Sequence, residues 1–145
     1  MVKVYLASPF FDKEQLERIE KVEQALEANP TVTEVFSPRK AVYEAEFGSL
    51  EWRKQAFNNN ATHIMQADVV VAVYDYEDKH TDAGTAWEMG FAVGLEVPLV
   101  VFQEKDFPVN LMMSDSLTAY IKTPLDLSLY DFEECPNNKY EGEVF

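Results

Sequence analysis

Two carboxylates, Asp82 and Glu88, carry the clearest chemical signal in this sequence. They belong to a stretch that begins with an acidic run and then turns apolar, which predicts a loop followed by a helix. Side chains on a helix lean toward its N-terminus, so the Glu88 carboxylate should cover the turn that contains Gly84, where a missing side chain leaves room. Two carboxylates that share a cleft are typical of enzymes that cleave glycosidic bonds.

A structural role for the same two residues is open as well, in which Asp82 only caps the helix and Glu88 lies on its surface. Pattern alone does not separate the two interpretations. Glu88 is flanked by Trp87, Met89 and Phe91, however. An unpaired charge in apolar surroundings costs several kcal/mol and usually has a reason, which favours the functional interpretation.

Short apolar segments alternate with amphipathic ones along most of the chain. We expect buried strands at Val2–Ala7, Thr31–Phe36, Asp68–Tyr74 and Val97–Phe102. We expect helices from Asp12 to Asn29, from Leu50 to Gln66 and from Asp82 to Gly94. Beyond Gln103 the pattern predicts a short helix near Asn110–Leu117, a last strand at Ala119–Lys122 and a polar tail.

Strands that alternate with helices at this spacing predict an α/β fold. The expected architecture is a doubly wound, flavodoxin-like parallel sheet of five strands with helices on both faces, formed by residues 1–145 as a single domain. Ligands of such sheets bind beyond the carboxyl ends of the strands, where the strand order reverses. This rule selects the turn Ala7–Phe11, the loop after the second strand and the loop Asp75–Asp82.

Composition narrows the class of protein. A chain of 145 residues that is 47% hydrophobic can bury one core. Its only cysteine, Cys135, cannot form an intramolecular disulfide, and the start of the chain lacks the pattern of a signal peptide, so we expect a cytoplasmic protein. The longest apolar run has the length of a strand, which argues against a membrane partner. The net charge of −14 argues against nucleic acid.

Motifs for cofactors and metals are missing. The glycines at 84, 90 and 94 do not form G-x-G-x-x-G, and no G-K-[ST] element occurs. His63 and His80 lack metal-ligand spacing, and one cysteine cannot complete a zinc site. We therefore expect neither a cofactor nor a metal.

Four segments resemble one known family in their order and spacing: Val4–Phe11, Asp82–Gly90, Asn110–Met112 and Tyr140–Phe145. On these segments the chain resembles the nucleoside 2-deoxyribosyltransferases over essentially its whole length. The resemblance implies a double displacement in nucleoside salvage, with deoxynucleosides and free purine or pyrimidine bases as substrates. Glu88 would attack the anomeric carbon, expel the base and hold the sugar until another base takes it.

The resemblance also assigns roles to other residues. Tyr5 would orient Glu88, and Asp82 would bind the sugar or the base beside it. The implied substrate-binding residues are Ala7, Phe11, Gly84, Asn110, Met112 and Phe145. Of these, Asn110 and Met112 would reach the site of a neighbouring subunit, and the terminal carboxylate of Phe145 would lie near the base. The implied assembly is a homo-oligomer, commonly a hexamer.

One position departs from the family pattern. Where the family usually has Asn-Asp after an aromatic residue, this chain reads Phe57-Asn58-Asn59-Asn60, so Asn60 occupies the place of an aspartate. An aspartate there could assist proton transfer to or from the base, whereas an amide can hydrogen-bond but cannot exchange a proton at neutral pH. The departure leaves open how active the chain is.

Two alternatives to deoxyribose transfer remain at this point. One is hydrolysis of a deoxynucleoside 5-monophosphate, which the acidic loop Asp75–Asp82 makes less inviting for a phosphate. The other is a non-catalytic nucleoside-binding module, which the change at Asn60 keeps open. Base preference cannot be derived from the sequence, and Arg39, Tyr43 and Glu46 are unranked candidates for the base pocket.

Overall fold

The sheet is entirely parallel and has the expected topology. The computed structural model describes all 145 residues. Its strands are β1 (Val2–Ala7), β2 (Val32–Phe36), β3 (Val69–Val73), β4 (Leu99–Phe102) and β5 (Ala119–Ile121). They pair in the order β2-β1-β3-β4-β5, which confirms the predicted doubly wound, flavodoxin-like sheet of five strands. The order reverses between β1 and β3, so this is the point where a ligand is expected.

Helices cover both faces of the sheet. They are α1 (Lys13–Ala28), α2 (Leu50–Gln66), α3 (Ala83–Gly94), α4 (Leu111–Ser114) and α5 (Pro124–Leu129). The helices α1 and α5 contact each other on one face, and α2 and α3 contact each other on the opposite face. None of the helices is both long enough and apolar enough to cross a bilayer.

The side chains on the two faces of the sheet belong to two separate hydrophobic cores. In β1, Val4 and Leu6 point toward α1, whereas Tyr5 and Ala7 belong to the core under α2 and α3. This alternation follows from the two-residue period of a strand. It explains why a tyrosine is tolerated at the centre of β1, because its side chain lies under the helix that carries Glu88.

Side-chain caps fix where the long helices start. Asp12 accepts a hydrogen bond from the Gln15 amide at 2.8 Å at the start of α1, as the sequence predicts. Ser49 accepts one from the Trp52 amide at 3.1 Å at the start of α2. The helix α2 then continues through the Asn58-Asn59-Asn60 run, although asparagine is a weak helix former. Tertiary packing overrides the propensity, since Ile64 one turn further is completely buried.

The expectation of a polar tail after β5 is wrong. The segment contains α5, whose Leu127 is completely buried against α1, and Phe132 is buried as well. The last residues then run back along the sheet edge, where the Val109 amide donates to the Glu143 carbonyl at 3.1 Å. A six-residue helix is too short to show a helical period, and leucines at alternate positions 125, 127 and 129 conceal it.

Candidate active site

Two adjoining cavities lie at the switch point of the sheet. They have volumes of about 210 and 370 Å³ and share Asn60, Gly84 and Glu88. The smaller is otherwise lined by Ser8, Phe10, Phe11, Pro38, Tyr43, Trp52, Ala56 and Asp82, and the larger by Phe57, Ala61 and Trp87. The walls therefore come from the loops after β1 and β2 and from the facing sides of α2 and α3. A larger cavity of about 610 Å³ lies elsewhere, between β5 and the last residues.

Glu88 reaches these cavities because of its position on α3. Thr85, Met89 and Ala92 are buried against the sheet, and Glu88 shares their face at helical spacing. Its carboxylate accepts a hydrogen bond from the hydroxyl of Tyr5, which is completely buried. No cation contacts Glu88. The carboxylate is therefore half-buried, unpaired and held by one neutral donor.

The electrostatics of this pair follow from burial. Burial raises the pKa of Glu88 to about 7, the hydrogen bond from Tyr5 opposes the rise, and the negative charge of Asp82 adds to it. Burial and the neighbouring Glu88 carboxylate raise the pKa of the Tyr5 phenol, so the phenol stays neutral and donates. Near neutral pH the Glu88 carboxylate is thus partly ionised and poorly solvated, as a nucleophile or a proton-transfer group requires.

Asp82 lies at the start of the same helix. Its Oδ2 accepts hydrogen bonds from the Thr85 amide at 2.8 Å and the Thr85 hydroxyl at 3.1 Å. It caps α3 and also lines the smaller cavity, so the capping role does not exclude a role at the site. Gly84 lines both cavities and leaves their floor open because it has no side chain, and a Cβ added there would lie 3.2 Å from Asp82 Oδ2, closer than an ordinary contact.

Asn60 faces Glu88 from the opposite wall. Phe57, Asn60, Ala61 and Ile64 form one face of α2, and Ile64 anchors that face in the core. The Oδ1 atom of Asn60 is buried and has no hydrogen-bond partner. A buried polar atom without a partner is uncommon and marks a place where a ligand can supply the missing donor.

The turn after β1 contributes unequally. The Phe11 side chain lines the smaller cavity, is 63% exposed, and its ring centroid lies 5.1 Å from that of Phe10. Ala7 is completely buried in the core beneath α2 and α3, and its neighbour Ser8 forms the cavity wall instead.

The remaining predicted residues form a second group. Asn110 caps α4, with its Oδ1 accepting from the Met112 amide at 2.9 Å, and the Leu111 amide donates to the Phe145 carbonyl at 2.9 Å. The hydroxyl of Tyr74 accepts from the Asn110 amide at 3.0 Å and fixes this group to the end of β3. Asn110, Met112 and Phe145 therefore lie together, but none of them lines either cavity around Glu88.

Trp52, Phe57 and Trp87 line the cavities although the sequence analysis gave them no role there, whereas Tyr43 was already an unranked candidate for the base pocket. Trp52 and Tyr43 line the smaller cavity and pack edge to face, with ring centroids 6.5 Å apart. Phe57 and Trp87 line the larger cavity and pack in the same way, with ring centroids 5.5 Å apart. Aromatic residues within the predicted helices 50–66 and 82–94 were the available signal. Arg39, by contrast, is engaged by Glu23 of α1, with its Nη2 2.5 Å from the carboxylate.

No group of three or more His, Cys, Asp or Glu side chains is arranged to hold a metal ion. His63 stacks on Phe36 with ring centroids 3.7 Å apart, and its Nδ1 lies 2.8 Å from the Asn59 carbonyl oxygen. His63 is therefore occupied in packing α2 onto β2.

Comparisons with known proteins identify the family of the chain. The family model described as nucleoside 2-deoxyribosyltransferase matches residues 4–136. A nucleoside deoxyribosyltransferase from Limosilactobacillus fermentum is 38% identical over 90% of this chain and 84% of its own length. The structure of a 2-deoxyribosyltransferase from Bacillus psychrosaccharolyticus is 43% identical, with a TM-score of 0.86 over 95% of this chain and 98% of that one. A conserved protein from Enterococcus faecalis shares the fold, at 20% identity and a TM-score of 0.70 over 92% of this chain and 98% of its own. The chain belongs to the nucleoside 2-deoxyribosyltransferase family.

Proposed function

We propose that this protein transfers 2-deoxyribose from one nucleobase to another through a covalent intermediate on Glu88. The observation that carries the proposal is the unpaired, half-buried Glu88 carboxylate, which receives a hydrogen bond from Tyr5 and borders both cavities. The names of its relatives in Limosilactobacillus fermentum and Bacillus psychrosaccharolyticus support the same reaction.

In the first step the ionised Glu88 attacks the anomeric carbon of a 2-deoxynucleoside. A bond forms between a carboxylate oxygen and that carbon, and the bond from the carbon to the base nitrogen breaks with its electron pair on the base. The missing counter-ion helps this step, because a poorly solvated carboxylate with a pKa raised to about 7 is a better nucleophile than one locked in an ion pair.

In the second step another base attacks the same carbon from the side that the first base left. The glycosyl ester breaks, the Glu88 carboxylate is regenerated, and two inversions give net retention. Tyr5 acts as a positioning residue that holds one carboxylate oxygen, while the open turn at Gly84 accommodates the sugar. Asp82 binds the sugar or the base, and the aromatic residues of the walls offer stacking surfaces for the bases.

We propose further that the single domain works as a cytoplasmic homo-oligomer. Asn110, Met112 and Phe145 lie apart from the Glu88 cavities in one chain, which supports their use in the site of a neighbour. The exposed aromatic residues Phe57 and Trp87 border the larger cavity and offer an apolar contact surface for a second copy. A hexamer is the assembly that family resemblance suggests.

Base exchange tests the proposed reaction. The protein is incubated with 2-deoxyadenosine and free cytosine, and the expected product is 2-deoxycytidine. Glu88→Gln should abolish the exchange, whereas Glu17→Gln, which removes an exposed carboxylate on α1, should leave it unchanged. Exchange that survives in Glu88→Gln would refute the assignment of the nucleophile.

Mixing two defective variants tests the shared site. Glu88→Gln and Asn110→Ala should each be impaired, and hybrid oligomers refolded from both should regain activity because some sites then combine an intact Glu88 with a partner's intact Asn110. Mixtures no more active than the average of the two pure variants would place both residues in the site of one chain.

A further inference from the structure

We infer that this enzyme expels the base without protonating it, so that the acidity of the base determines which nucleosides react well, and that Asn60 sets this preference. The inference rests on the proposed function, because it concerns the departure of the base from the sugar held by Glu88. It follows from which proton donors line the two cavities and which are missing there.

The walls hold no basic side chain. Neither cavity is lined by Lys, Arg or His. The residues proposed to come from a neighbouring chain are Asn110, Met112 and Phe145. The first two carry an amide and a thioether, which do not titrate near neutral pH, and Phe145 ends in a carboxylate, which accepts hydrogen bonds and has no proton to give. A protonated donor for the leaving base must therefore be sought among the acids and hydroxyls of the walls.

Each of those acids is already engaged. Glu88 must be ionised in order to attack, and Tyr5 directs its hydroxyl hydrogen at Glu88. The Oδ2 atom of Asp82 accepts two hydrogen bonds, from the amide and the hydroxyl of Thr85, and is therefore occupied by the cap of α3. The Ser8 hydroxyl donates to the Pro9 carbonyl at 3.0 Å, which leaves it unable to serve the base.

Two wall residues remain as possible proton donors, Tyr43 and Asn60. The Tyr43 hydroxyl accepts from the side-chain amide of Asn59 at 3.1 Å and is a phenol, which is a much weaker acid than a carboxyl group. Asn60 presents a buried Oδ1 without a partner. Its amide can hold a base by accepting from an N–H group but cannot deliver a proton.

Water then supplies and removes the protons that the two bases gain and lose. The electron pair of the broken carbon–nitrogen bond stays on the base, which departs as an anion and takes its proton from water. In the second half-reaction the acceptor base must lose a proton to water before its nitrogen attacks. Bases with an acidic N–H group are favoured in both directions, because they carry the negative charge most easily.

A series of leaving groups tests this inference. The substrates are the 2-deoxynucleosides of thymine, uracil, 5-fluorouracil and 5-nitrouracil, in order of increasing N–H acidity, with adenine as the common acceptor. At pH 6.5 we expect kcat/KM to rise steeply along the series in the unaltered protein. In Asn60→Asp the dependence should flatten, with a gain of about 10² for thymine and little change for 5-nitrouracil, because general acid catalysis is typically worth about 10² to 10⁴.

Control variants separate Asn60 from its neighbours. Tyr43→Phe and Asp82→Asn should leave the slope of the series unchanged, whatever they do to its absolute level, and a steeper slope in either variant would identify that residue as the donor and overturn the inference. A flat series in the unaltered protein would overturn it too, even if Asn60→Asp failed to fold. No exchange even from 5-nitrouracil would instead refute the proposed function itself.

Discussion

Asp75 and Glu88 are carboxylates on opposite faces of the same sheet, the first completely buried and the second half-buried, and they differ in how fully they are paired. Asp75, completely buried after β3, accepts from the Glu104 and Lys105 amides at 2.7 and 2.9 Å and lies 3.8 Å from the guanidinium of Arg18. Glu88 has no cation beside it and receives only the phenol hydrogen of Tyr5. The carboxylate of Asp75, which has a cation and two amide donors, stabilises the fold, whereas the carboxylate of Glu88, which has no cation, is free to react.

The Asp75 cluster connects three parts of the fold. Arg18 of α1 also lies 2.7 Å from Glu14 and 3.5 Å from Glu104 in the loop after β4. Charges buried with partners are costly to separate, because the remaining charge is stranded in a medium of low dielectric. The cluster therefore connects α1 to the loops after β3 and β4, while the carboxylate of Glu88 on the opposite face of the sheet stays unpaired.

The largest effect on stability is expected from breaking the paired cluster. Arg18→Met keeps an apolar stem but leaves Asp75 without its cation, which should lower the free energy of unfolding by about 3–5 kcal/mol. Lys13→Met is the matched control, because the Lys13–Glu17 pair is exposed and 3.8 Å long and should cost at most about 0.5 kcal/mol. Urea unfolding measures both, and equal costs would contradict the contrast between buried and exposed pairs.

Removing the unpaired carboxylate of Glu88 should raise the free energy of unfolding, whereas breaking the paired cluster lowers it. In the folded protein the pKa of Glu88 is raised to about 7, so Glu88 keeps its proton to higher pH than in the unfolded chain, and stability falls as the pH rises from about 4.5 through 7. Glu88→Gln removes this loss. The variant should unfold with a free energy higher than that of the parent by up to about 3 kcal/mol at pH 8.

The difference in the free energy of unfolding between Glu88→Gln and the parent should become small in acid. At pH 4.5 both folded and unfolded parent chains hold much of the proton, so the advantage of Glu88→Gln should be small there. Urea unfolding of both proteins at the two pH values measures the difference. An advantage of equal size at both would show that it arises from something other than the ionisation of Glu88.

Removing the single donor to Glu88 should alter the pH profile. The hydrogen bond from Tyr5 lowers the pKa of Glu88, so Tyr5→Phe should raise that pKa above about 7 and move the acid limb of kcat/KM to higher pH. A hydrogen bond to a charged group is worth about 1.5–3 kcal/mol, so the loss at pH 6 should be roughly 10- to 100-fold and smaller at pH 9. A loss that is independent of pH would indicate a packing defect instead.

The smallest effect is expected at the cavity floor. In Gly84→Ala the new methyl group meets Asp82 Oδ2 at 3.2 Å and narrows the space over the turn. Because alanine is the better helix former by about 1 kcal/mol, thermal stability should hold while KM for the deoxynucleoside rises several-fold. An unchanged KM would show that the sugar does not rest over this turn.

The sequence predicted the strands and helices that position the site better than the residues that line its cavities. Strands without alternation and helices with clear caps at Asp12 and Asp82 identified the elements and the doubly wound, parallel architecture, because these signals are local. Glu88 was recognisable because its helix is otherwise apolar. The face shared by Thr85, Met89 and Ala92 explains why that position turns toward the sheet.

Other features depend on contacts between distant segments. The sequence could not reveal that Trp52 and Tyr43 meet at the cavity, or that Arg39 is held by Glu23, because these contacts join separate elements. The helix α5 was missed because its one deeply buried residue, Leu127, acquires meaning only against α1. The separation of Asn110 from the Glu88 cavities likewise becomes visible only in three dimensions.

The mass of the intact protein after brief mixing with a deoxynucleoside, without an acceptor base, tests the central claim most directly. The unpaired Glu88 should carry one deoxyribosyl group, located by peptide mapping to the segment that contains residue 88, and Glu88→Gln should gain no mass. A protein that turns over the nucleoside without any such gain, or a gain that persists in Glu88→Gln, would contradict the covalent role of this carboxylate.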